Sequence, residues 1–174
     1  MPTPIPGDDV RPILLIDSRH ALSVVPMSMR ACLAQLPVSG SFSYAGGREF
    51  FSVKRIPLAQ FSTCVGEGEQ REALFEDLRR MRHYDFARLV VVGDASQLIE
   101  SGLPVQATPA EVQGLAAVID VHTRVPVVFA SNESAAMTFI EGWAMLAARL
   151  RAFGGDSETA LLAHERLCAQ EADE

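Results

Sequence analysis

The sequence predicts an α/β fold in which helices cover the faces of a mixed central sheet. Three short, continuous apolar runs, Ile13–Ile16, Leu89–Val92 and Pro126–Phe129, are typical of buried central strands. Longer segments between and after these runs carry apolar residues at helical spacing. Strands and helices that alternate in this way are expected to pack as helices against a sheet.

The first half of the chain is predicted to add one helix and an antiparallel pair of strands. Met27–Leu36 has apolar residues three or four positions apart, which predicts a helix, and Pro37 would end it. Val38–Tyr44 alternates in polarity, and Phe50–Val53 follows as the second strand. Gly46-Gly47 between these two strands is typical of a tight turn.

The second half is predicted to place helices around the two later strands. The clearest helix runs from Glu67 to His83, and the longest runs from Glu133 to Phe153. Thr108 followed by Pro109 is typical of a helix start, because Thr caps free amides and Pro needs no amide partner there. Shorter helical segments are predicted after Pro57, over Ser96–Ser101 and over Ser157–Ala169.

Length and composition predict one soluble domain. At 174 residues the chain is long enough to bury a core. We assign residues 1–10 to a flexible, proline-rich lead, residues 11–154 to the domain, and residues 155–174 to a C-terminal helix and acidic tail. The lead lacks the basic and apolar regions of a signal peptide, and no apolar run reaches the roughly 18 residues that span a membrane.

Cysteine content and net charge bear on the cellular compartment and on the binding partners expected for the protein. Cys32, Cys64 and Cys168 are odd in number and far apart, which fits neither a zinc site nor a disulfide framework. A reduced, cytoplasmic protein is the resulting expectation. The formal net charge of −7 argues against nucleic-acid binding over the whole surface, because phosphate contacts need basic residues. Any basic patch must therefore be local.

Six segments of the chain, taken in order, are similar to the motifs of one known family. Ile-Asp-Ser-Arg-His at 16–20 is similar to V-D-x-R-E, Val-Lys-Arg-Ile-Pro-Leu-Ala-Gln at 53–60 to V-E-R-K-S-L-x-D, and Leu-Val-Val-Val-Gly-Asp at 89–94 to L-V-V-E-G-D. The others are the segment 37–43, the helix with Glu76, Leu78 and Arg79, and the strand at 125–130 before the helix with Trp143. From Ile13 to Leu150 the chain therefore resembles the XPF-type structure-specific endonucleases. The resemblance implies a restriction-endonuclease-like fold, an α/β fold with a mixed central sheet flanked by helices.

The resemblance also implies a catalytic site in which most acids are replaced. Hydrolysis in this family needs a carboxylate cluster, because Mg²⁺ prefers several hard oxygen ligands. Asp17 matches a kept acid of that cluster, whereas Ser41, Lys54 and Gln60 stand where the family has acids, and Arg55 matches its arginine. The implied site is thus degenerate, with no metal and no cofactor; Mg²⁺ would be needed only if activity survives.

Lys54 changes the charge of this site most directly. An ammonium group repels the dication that a carboxylate at the same position would attract. We therefore predict that Lys54 lies where the metal would be and pairs with Asp17.

DNA contacts are expected from two basic groups, one near this site and one on the Glu67–His83 helix. The alternative for each arginine is an ion pair with a nearby acid, as on an ordinary solvated helix face. The candidates are Arg19, Lys54 and Arg55 near the site, and Arg79, Arg80 and Arg82 on the helix.

The apolar arc of the Glu133–Phe153 helix is broader than one contact with a sheet requires. An exposed apolar stripe would be a sticky patch, which predicts an interface with a protein partner or a second copy. The resemblance supports this interface, because XPF-type domains work as dimers. The alternative is burial under the C-terminal segment that carries Leu161, Leu162 and Leu167. The interface candidates are Phe139, Trp143, Leu146 and Leu150.

Three functions remain as alternatives. The first is a catalytically degenerate XPF-type nuclease-like domain that acts as a scaffold in DNA processing and binds branched DNA, another protein or both. The second is an active Mg²⁺-dependent endonuclease with a rearranged site, in which Asp94, Glu49 or Glu67 would join Asp17. The third is an acidic protein-binding module with no nucleic-acid role, which fits the net charge.

Overall fold

Six strands form the centre of the molecule. The structure is a computed structural model, and it describes residues 12–19, 28–93 and 107–152. The strands in these ranges are β1 (Leu14–Asp17), β2 (Ala31–Ala34), β3 (Ser41–Tyr44), β4 (Phe51–Pro57), β5 (Phe86–Val92) and β6 (Val127–Ala130). They form one mixed sheet in the spatial order β2-β1-β3-β4-β5-β6.

The strand register aligns three polar residues across the sheet. Strand β3 runs antiparallel to β1 and β4, whereas the other neighbouring pairs are parallel. The register places Ile16 beside Phe42 and Ser41 beside Lys54, so Asp17, one step beyond Ile16, lies beside Ser41. Residues directly opposite each other on neighbouring strands point to the same face. Asp17, Ser41 and Lys54 therefore form one row across three strands.

Helices cover both faces of the sheet. The described helices are α1 (Leu58–Ser62), α2 (Glu69–Met81), α3 (Pro109–Thr123) and α4 (Glu133–Ala152). The first three pack on one face, where Leu78 of α2 and Ile119 of α3 join Leu89 of β5 in one core. Helix α4 packs on the other face, where Ile140 contacts the core that contains Val90. The predicted α/β arrangement is confirmed.

The start of α3 follows the predicted capping signal, and the start of α4 is capped in a similar way. Thr108 Oγ1 accepts a hydrogen bond from the Glu111 amide at 3.3 Å, and Glu111 Oε2 accepts one from the Thr108 amide at 2.7 Å. Asn132 Oδ1 accepts a hydrogen bond from the Ala135 amide at 2.9 Å. These side chains stabilise the helix starts because the first turn of a helix leaves its amides without backbone partners.

Several predicted elements occur with shifted ends. The helix predicted from Glu67 to His83 is α2, and the strand predicted at Phe50–Val53 extends to Pro57 as β4. None of the helices in the described ranges combines the length and the hydropathy that a membrane span requires. The lead at 1–10 and the predicted helices Ser96–Ser101 and Ser157–Ala169 lie outside the described residues.

The predicted helix Met27–Leu36 is wrong. Residues Ala31–Ala34 form the edge strand β2, and the Leu14 amide of β1 donates to the Arg30 carbonyl at 2.8 Å. Leu33, which a helical apolar stripe would bury, is 59% exposed. Buried backbone groups of β1 need hydrogen-bond partners, and this requirement outweighed the helical spacing of a short apolar pattern.

Candidate functional site

Asp17 ends β1 and is fully buried. Its Oδ2 accepts a hydrogen bond from the Gly40 amide at 2.8 Å, and its Oδ1 accepts one from the Leu36 amide at 3.4 Å. Arg19 Nε donates to both oxygens, at 3.0 and 3.1 Å. Burial raises the pKa of Asp17, but the hydrogen bonds from Gly40, Arg19 and Leu36 outweigh burial and hold the pKa below its ordinary value. The carboxylate is therefore ionised at neutral pH and engaged on both oxygens.

Lys54 lies in the same row and is only 8% exposed. Its Nζ donates to the Ser39 carbonyl at 2.5 Å and to Asp77 Oδ2 at 3.0 Å. The prediction that Lys54 pairs with Asp17 is therefore wrong. Two strand spacings separate the backbones of Lys54 and Asp17 by about 10 Å, Arg19 already neutralises Asp17, and helix α2 supplies Asp77 as the partner of the ammonium group.

Ser41 lies in the middle of the row and binds the loop that precedes it. Its Oγ donates to the Val38 carbonyl at 2.6 Å, and a terminal nitrogen of Arg19 donates to the Leu36 carbonyl. Gly40 in the same loop has a φ of +68°, a left-handed conformation that glycine adopts without strain. We call this arrangement the clasp: the side chains of Asp17, Arg19, Ser41 and Lys54, bound to the backbone of residues Leu36–Gly40.

The residues of the clasp do not fit Mg²⁺. Asp17 is the single carboxylate among them, and both of its oxygens already accept hydrogen bonds. Lys54 adds a positive charge to the same row. Mg²⁺ prefers several oxygen ligands in octahedral geometry. Within residues 12–19, 28–93 and 107–152, no group of three or more His, Cys, Asp or Glu side chains could hold a metal ion.

The acids considered for a rearranged site are not gathered around Asp17. Glu49 lies in the turn after β3, whereas Asp17 lies beside the first residue of β3, at the opposite end of that strand. Glu67 lines a groove between α2 and α3, and Asp17 is not part of that groove. Asp94 lies outside the described residues.

Arg55 and Gln60 do not join the clasp. The Arg55 side chain points to the opposite face from that of Lys54, because successive side chains alternate along a strand, and it pairs with Glu133 at the start of α4. Gln60 is exposed on α1 and, with Lys54 and Asp77, lines a cavity of about 300 Å³. Of the five residues implied for the degenerate site, the structure aligns Asp17, Ser41 and Lys54 in one row, whereas Arg55 and Gln60 lie outside the row although they line the same cavity as Lys54.

Two arginines of α2, Arg79 and Arg80, form ion pairs with acids of the same helix. Arg79 lies 3.5 Å from Glu76, and Arg80 lies 3.3 Å from Glu76 and 3.8 Å from Asp77. Exposed pairs of this kind stabilise a helix little and leave the guanidinium groups open to other contacts. Arg82 follows as an exposed residue just beyond the helix. Pairing with nearby acids, which the sequence left as an alternative, is therefore observed for Arg79 and Arg80, as it is for Arg19 and Arg55.

Three of the four predicted interface residues line one groove. Trp143, Leu146 and Leu150 of α4 enclose about 660 Å³ together with residues from the starts of β4 and β5. Phe139 is 39% exposed and stacks on Trp143, with 5.6 Å between the ring centroids. We call this surface the aromatic groove and define it by Phe50, Phe86, Trp143, Leu146, Leu150 and Arg151.

Sequence patterns missed Phe50, Phe86 and Arg151 as members of this groove. The Arg151 guanidinium lies 3.3 Å from the centroid of the Phe50 ring. Phe51 and Phe86 are register partners in the parallel pair β4–β5, and their rings are stacked 5.0 Å apart. Aromatic residues that begin two separate strands meet only once the strands pair, so the signal was present in the sequence but its meaning depended on the topology.

The architecture is similar to that of two solved structures. XPF from Aeropyrum pernix matches with a TM-score of 0.61 and 19% identity, covering 82% of this chain and 68% of that chain. XPF from Aeropyrum pernix in complex with DNA matches with a TM-score of 0.60 and 18% identity, covering 92% of this chain and 84% of that chain.

Sequence comparison adds no further relative: neither a family model nor a curated protein matches the chain. At identities below 20% the structural likeness concerns the fold. The order of strands and helices and the two structural matches together show that this chain has the XPF-type nuclease fold, a restriction-endonuclease-like α/β fold.

Proposed function

We propose that this chain is a catalytically degenerate nuclease-like domain that acts as a DNA- and protein-binding scaffold in DNA processing. The clasp is the observation that carries this proposal. Its side chains occupy the row in which the resemblance implies catalytic acids, and they bind the backbone of the Leu36–Gly40 loop. The groups that would meet a metal and a phosphate in a nuclease serve here to hold a loop.

Electrostatics supports the loss of metal-dependent hydrolysis. An ammonium group 4 Å from a dication is repelled by roughly 8 kcal/mol at an effective dielectric constant of 20. The ion pair between Lys54 and Asp77 offsets part of this repulsion. The same pair holds the Asp77 carboxylate on Lys54, where it is not free to bind a metal. Asp17 is committed to Arg19 in the same way.

DNA binding is proposed for the exposed cationic edge of α2. Arg79 and Arg80 keep more than half of their side-chain surface exposed despite their ion pairs, and Arg82 is exposed beside them. One of the similar structures is a complex of XPF with DNA. Branched DNA is the proposed ligand, and binding is expected to be weak and strongly dependent on salt because few phosphates are neutralised.

A protein interface is proposed on the outer side of α4. Phe139 presents an exposed ring, and Trp143, Leu146 and Leu150 remain half-buried beside it. Apolar side chains of this kind gain stability when a partner covers them. The occupant would be a second copy of the chain or another subunit of the same assembly.

The test combines cleavage and binding of fluorescent flap and fork DNA. We expect binding at low salt and no nicking with Mg²⁺ or Mn²⁺. Replacing Arg79, Arg80 and Arg82 with Gln should weaken binding and reduce the salt slope by up to about 3. A control that replaces Arg30, Arg48 and Arg124 with Gln changes the net charge equally, because these arginines are also exposed.

Three results would count against the proposal. Metal-dependent nicking that is lost in the Asp17→Asn variant, while DNA binding and folding persist, would identify an active nuclease. Equal loss of binding in both arginine variants would place the contact outside α2, and no binding of any DNA at low salt would favour the protein-binding module alone.

A further inference from the structure

The aromatic groove opens beside the end of α4. Its walls combine Phe50 of the turn before β4 and Phe86 of β5 with Trp143, Leu146 and Leu150 of α4, around about 660 Å³. An apolar surface of this kind is stabilised when it is covered, by roughly 25 cal/mol per Å² removed from water.

The chain itself continues from the wall of this groove. The described part of α4 ends at Ala152, one residue after Arg151, and residues 153–174 follow. Gly154-Gly155 allows the chain to reverse direction directly after the helix. A helix over residues 157–169 would be about 20 Å long, enough to pass the roughly 12 Å of α4 between Trp143 and Arg151.

The charges of the groove and of this C-terminal segment are complementary. Within the groove, Arg151 lies over the Phe50 ring, and Asp85 is the one acid among the described residues of the lining. Beside the groove, Arg88 lies 4.5 Å from the centroid of the Phe86 ring, so the arginines outnumber the acid. Arg166 is the only Lys or Arg after Ala152, whereas the acids there are Asp156, Glu158, Glu165, Glu171, Asp173 and Glu174. Complementary charge of this kind orients an apolar segment and disfavours competing ones.

We propose that residues 157–169 occupy the aromatic groove, with their leucines against Trp143 and Leu150 and their acids near Arg151. A covalent tether of a few residues gives such a segment an effective concentration in the millimolar range, so modest affinity suffices. The inference concerns the chain alone and does not rest on the proposed function. It adds a consequence, because the docked segment covers Trp143, Leu146 and Leu150, and a partner at that surface must displace it.

Trp143 makes the proposal directly measurable. It is the only tryptophan in the chain, so its fluorescence reports on the groove in the full-length protein. The test variant replaces Leu161 and Leu167 with Asp. The matched control replaces Thr159 and Ala163 with Asp, which introduces acidic groups into the same segment and keeps every leucine.

The emission of the leucine variant should shift to longer wavelength than that of the wild type, and its quenching by acrylamide should rise about two-fold or more as the tethered segment leaves. The control should match the wild type, and thermal unfolding should show the same folded domain in all three proteins. Arg151→Glu in the otherwise unchanged chain should move the emission in the same direction as the leucine variant.

Other outcomes overturn the proposal. Identical spectra for the wild type, the leucine variant and Arg151→Glu would show that the segment does not cover Trp143. A wild-type spectrum that changes with protein concentration would assign the cover to a second copy. Equal shifts in the control and the leucine variant would show an effect of added charge alone.

Discussion

Lys54 and Asp77 join the sheet to a helix through an ion pair, with 3.0 Å between Lys54 Nζ and Asp77 Oδ2. Both side chains are mostly buried, and the same ammonium group donates to the Ser39 carbonyl. The residue that replaces a catalytic acid in the implied family motif therefore connects β4, α2 and the Leu36–Gly40 loop.

This pair should contribute to stability. Asp77→Asn leaves a largely buried ammonium group without its countercharge, so we expect the free energy of unfolding to fall by about 2–3 kcal/mol. Urea denaturation monitored by circular dichroism measures the change. Glu76→Gln is the matched control on the neighbouring position, because its pairs with Arg79 and Arg80 are exposed. A loss of equal size in the control would contradict the assigned role of Asp77.

Asp17 should make the free energy of unfolding decrease at acidic pH. Its pKa is lowered in the folded state, so its carboxylate stabilises the fold above the unfolded pKa, and this contribution is lost as the pH falls through the folded pKa. We therefore expect the free energy of unfolding to decline below about pH 4. Asp17→Asn should cost about 2 kcal/mol at pH 7 and flatten the acid decline.

Denaturation curves collected from pH 2 to 7 compare the two proteins. Glu72→Gln removes an exposed carboxylate from α2 and should leave the acid decline unchanged. An acid decline in Asp17→Asn as steep as that of the wild type would show that other carboxylates dominate the pH dependence.

Introducing acids into the row should create a site that binds a divalent cation. Ser41→Asp combined with Lys54→Glu would place three carboxylates in one row with Asp17, and like charges would destabilise the variant without metal. Mg²⁺ or Mn²⁺ should then raise its Tm relative to EDTA, since a ligand at 100 times its Kd stabilises by about 2.7 kcal/mol. The wild type and Lys54→Met, which loses the cation without gaining an acid, should show no such change.

A side chain at position 40 should lower the stability of the fold. Its φ of +68° costs a residue with a Cβ atom about 1–2 kcal/mol, so Gly40→Ala should destabilise the chain by that amount. Gly114→Ala is the opposite control, because open space surrounds Gly114 within α3 and alanine favours helices by about 0.5–1 kcal/mol. Thermal unfolding should move the two variants in opposite directions, and a neutral Gly40→Ala would argue against a constrained loop.

The sequence predicted the main helices and the inner strands of the sheet better than the strands at its edges. Buried central strands leave a strong signal because both of their faces are apolar, and the run at Leu89–Val92 lies in the inner strand β5 as predicted. The run at Pro126–Phe129 also falls on a strand, but β6 lies at the edge of the sheet and is only partly buried, so its predicted central position is wrong. The edge strand β2 has no such signal, since its residues are largely exposed and its conformation is set by hydrogen bonds to β1. The conformation of such a strand depends on pairing with a distant segment, and the local spacing of apolar residues does not reveal that pairing.

The same limit applies to the candidate site. The motif resemblance named Asp17, Ser41 and Lys54 as parts of one site, and the strand register places them in one row, because each lies at a matching point on a neighbouring strand. It did not identify Asp77 as the partner of Lys54, since that contact depends on how α2 packs over the sheet. Contacts made across layers, such as Lys54–Asp77 and Arg55–Glu133, are fixed by tertiary structure.

The clasp also constrains how this protein can evolve. Lys54→Glu alone removes the bond to Ser39 and brings a second carboxylate beside Asp77, while Ser41→Asp alone removes the bond to Val38. Each single substitution removes a hydrogen bond before three carboxylates are present, so a metal site could arise in this row only through a less stable intermediate. Because the fold depends on the hydrogen bonds of Ser41 and Lys54, selection for stability alone would preserve these residues.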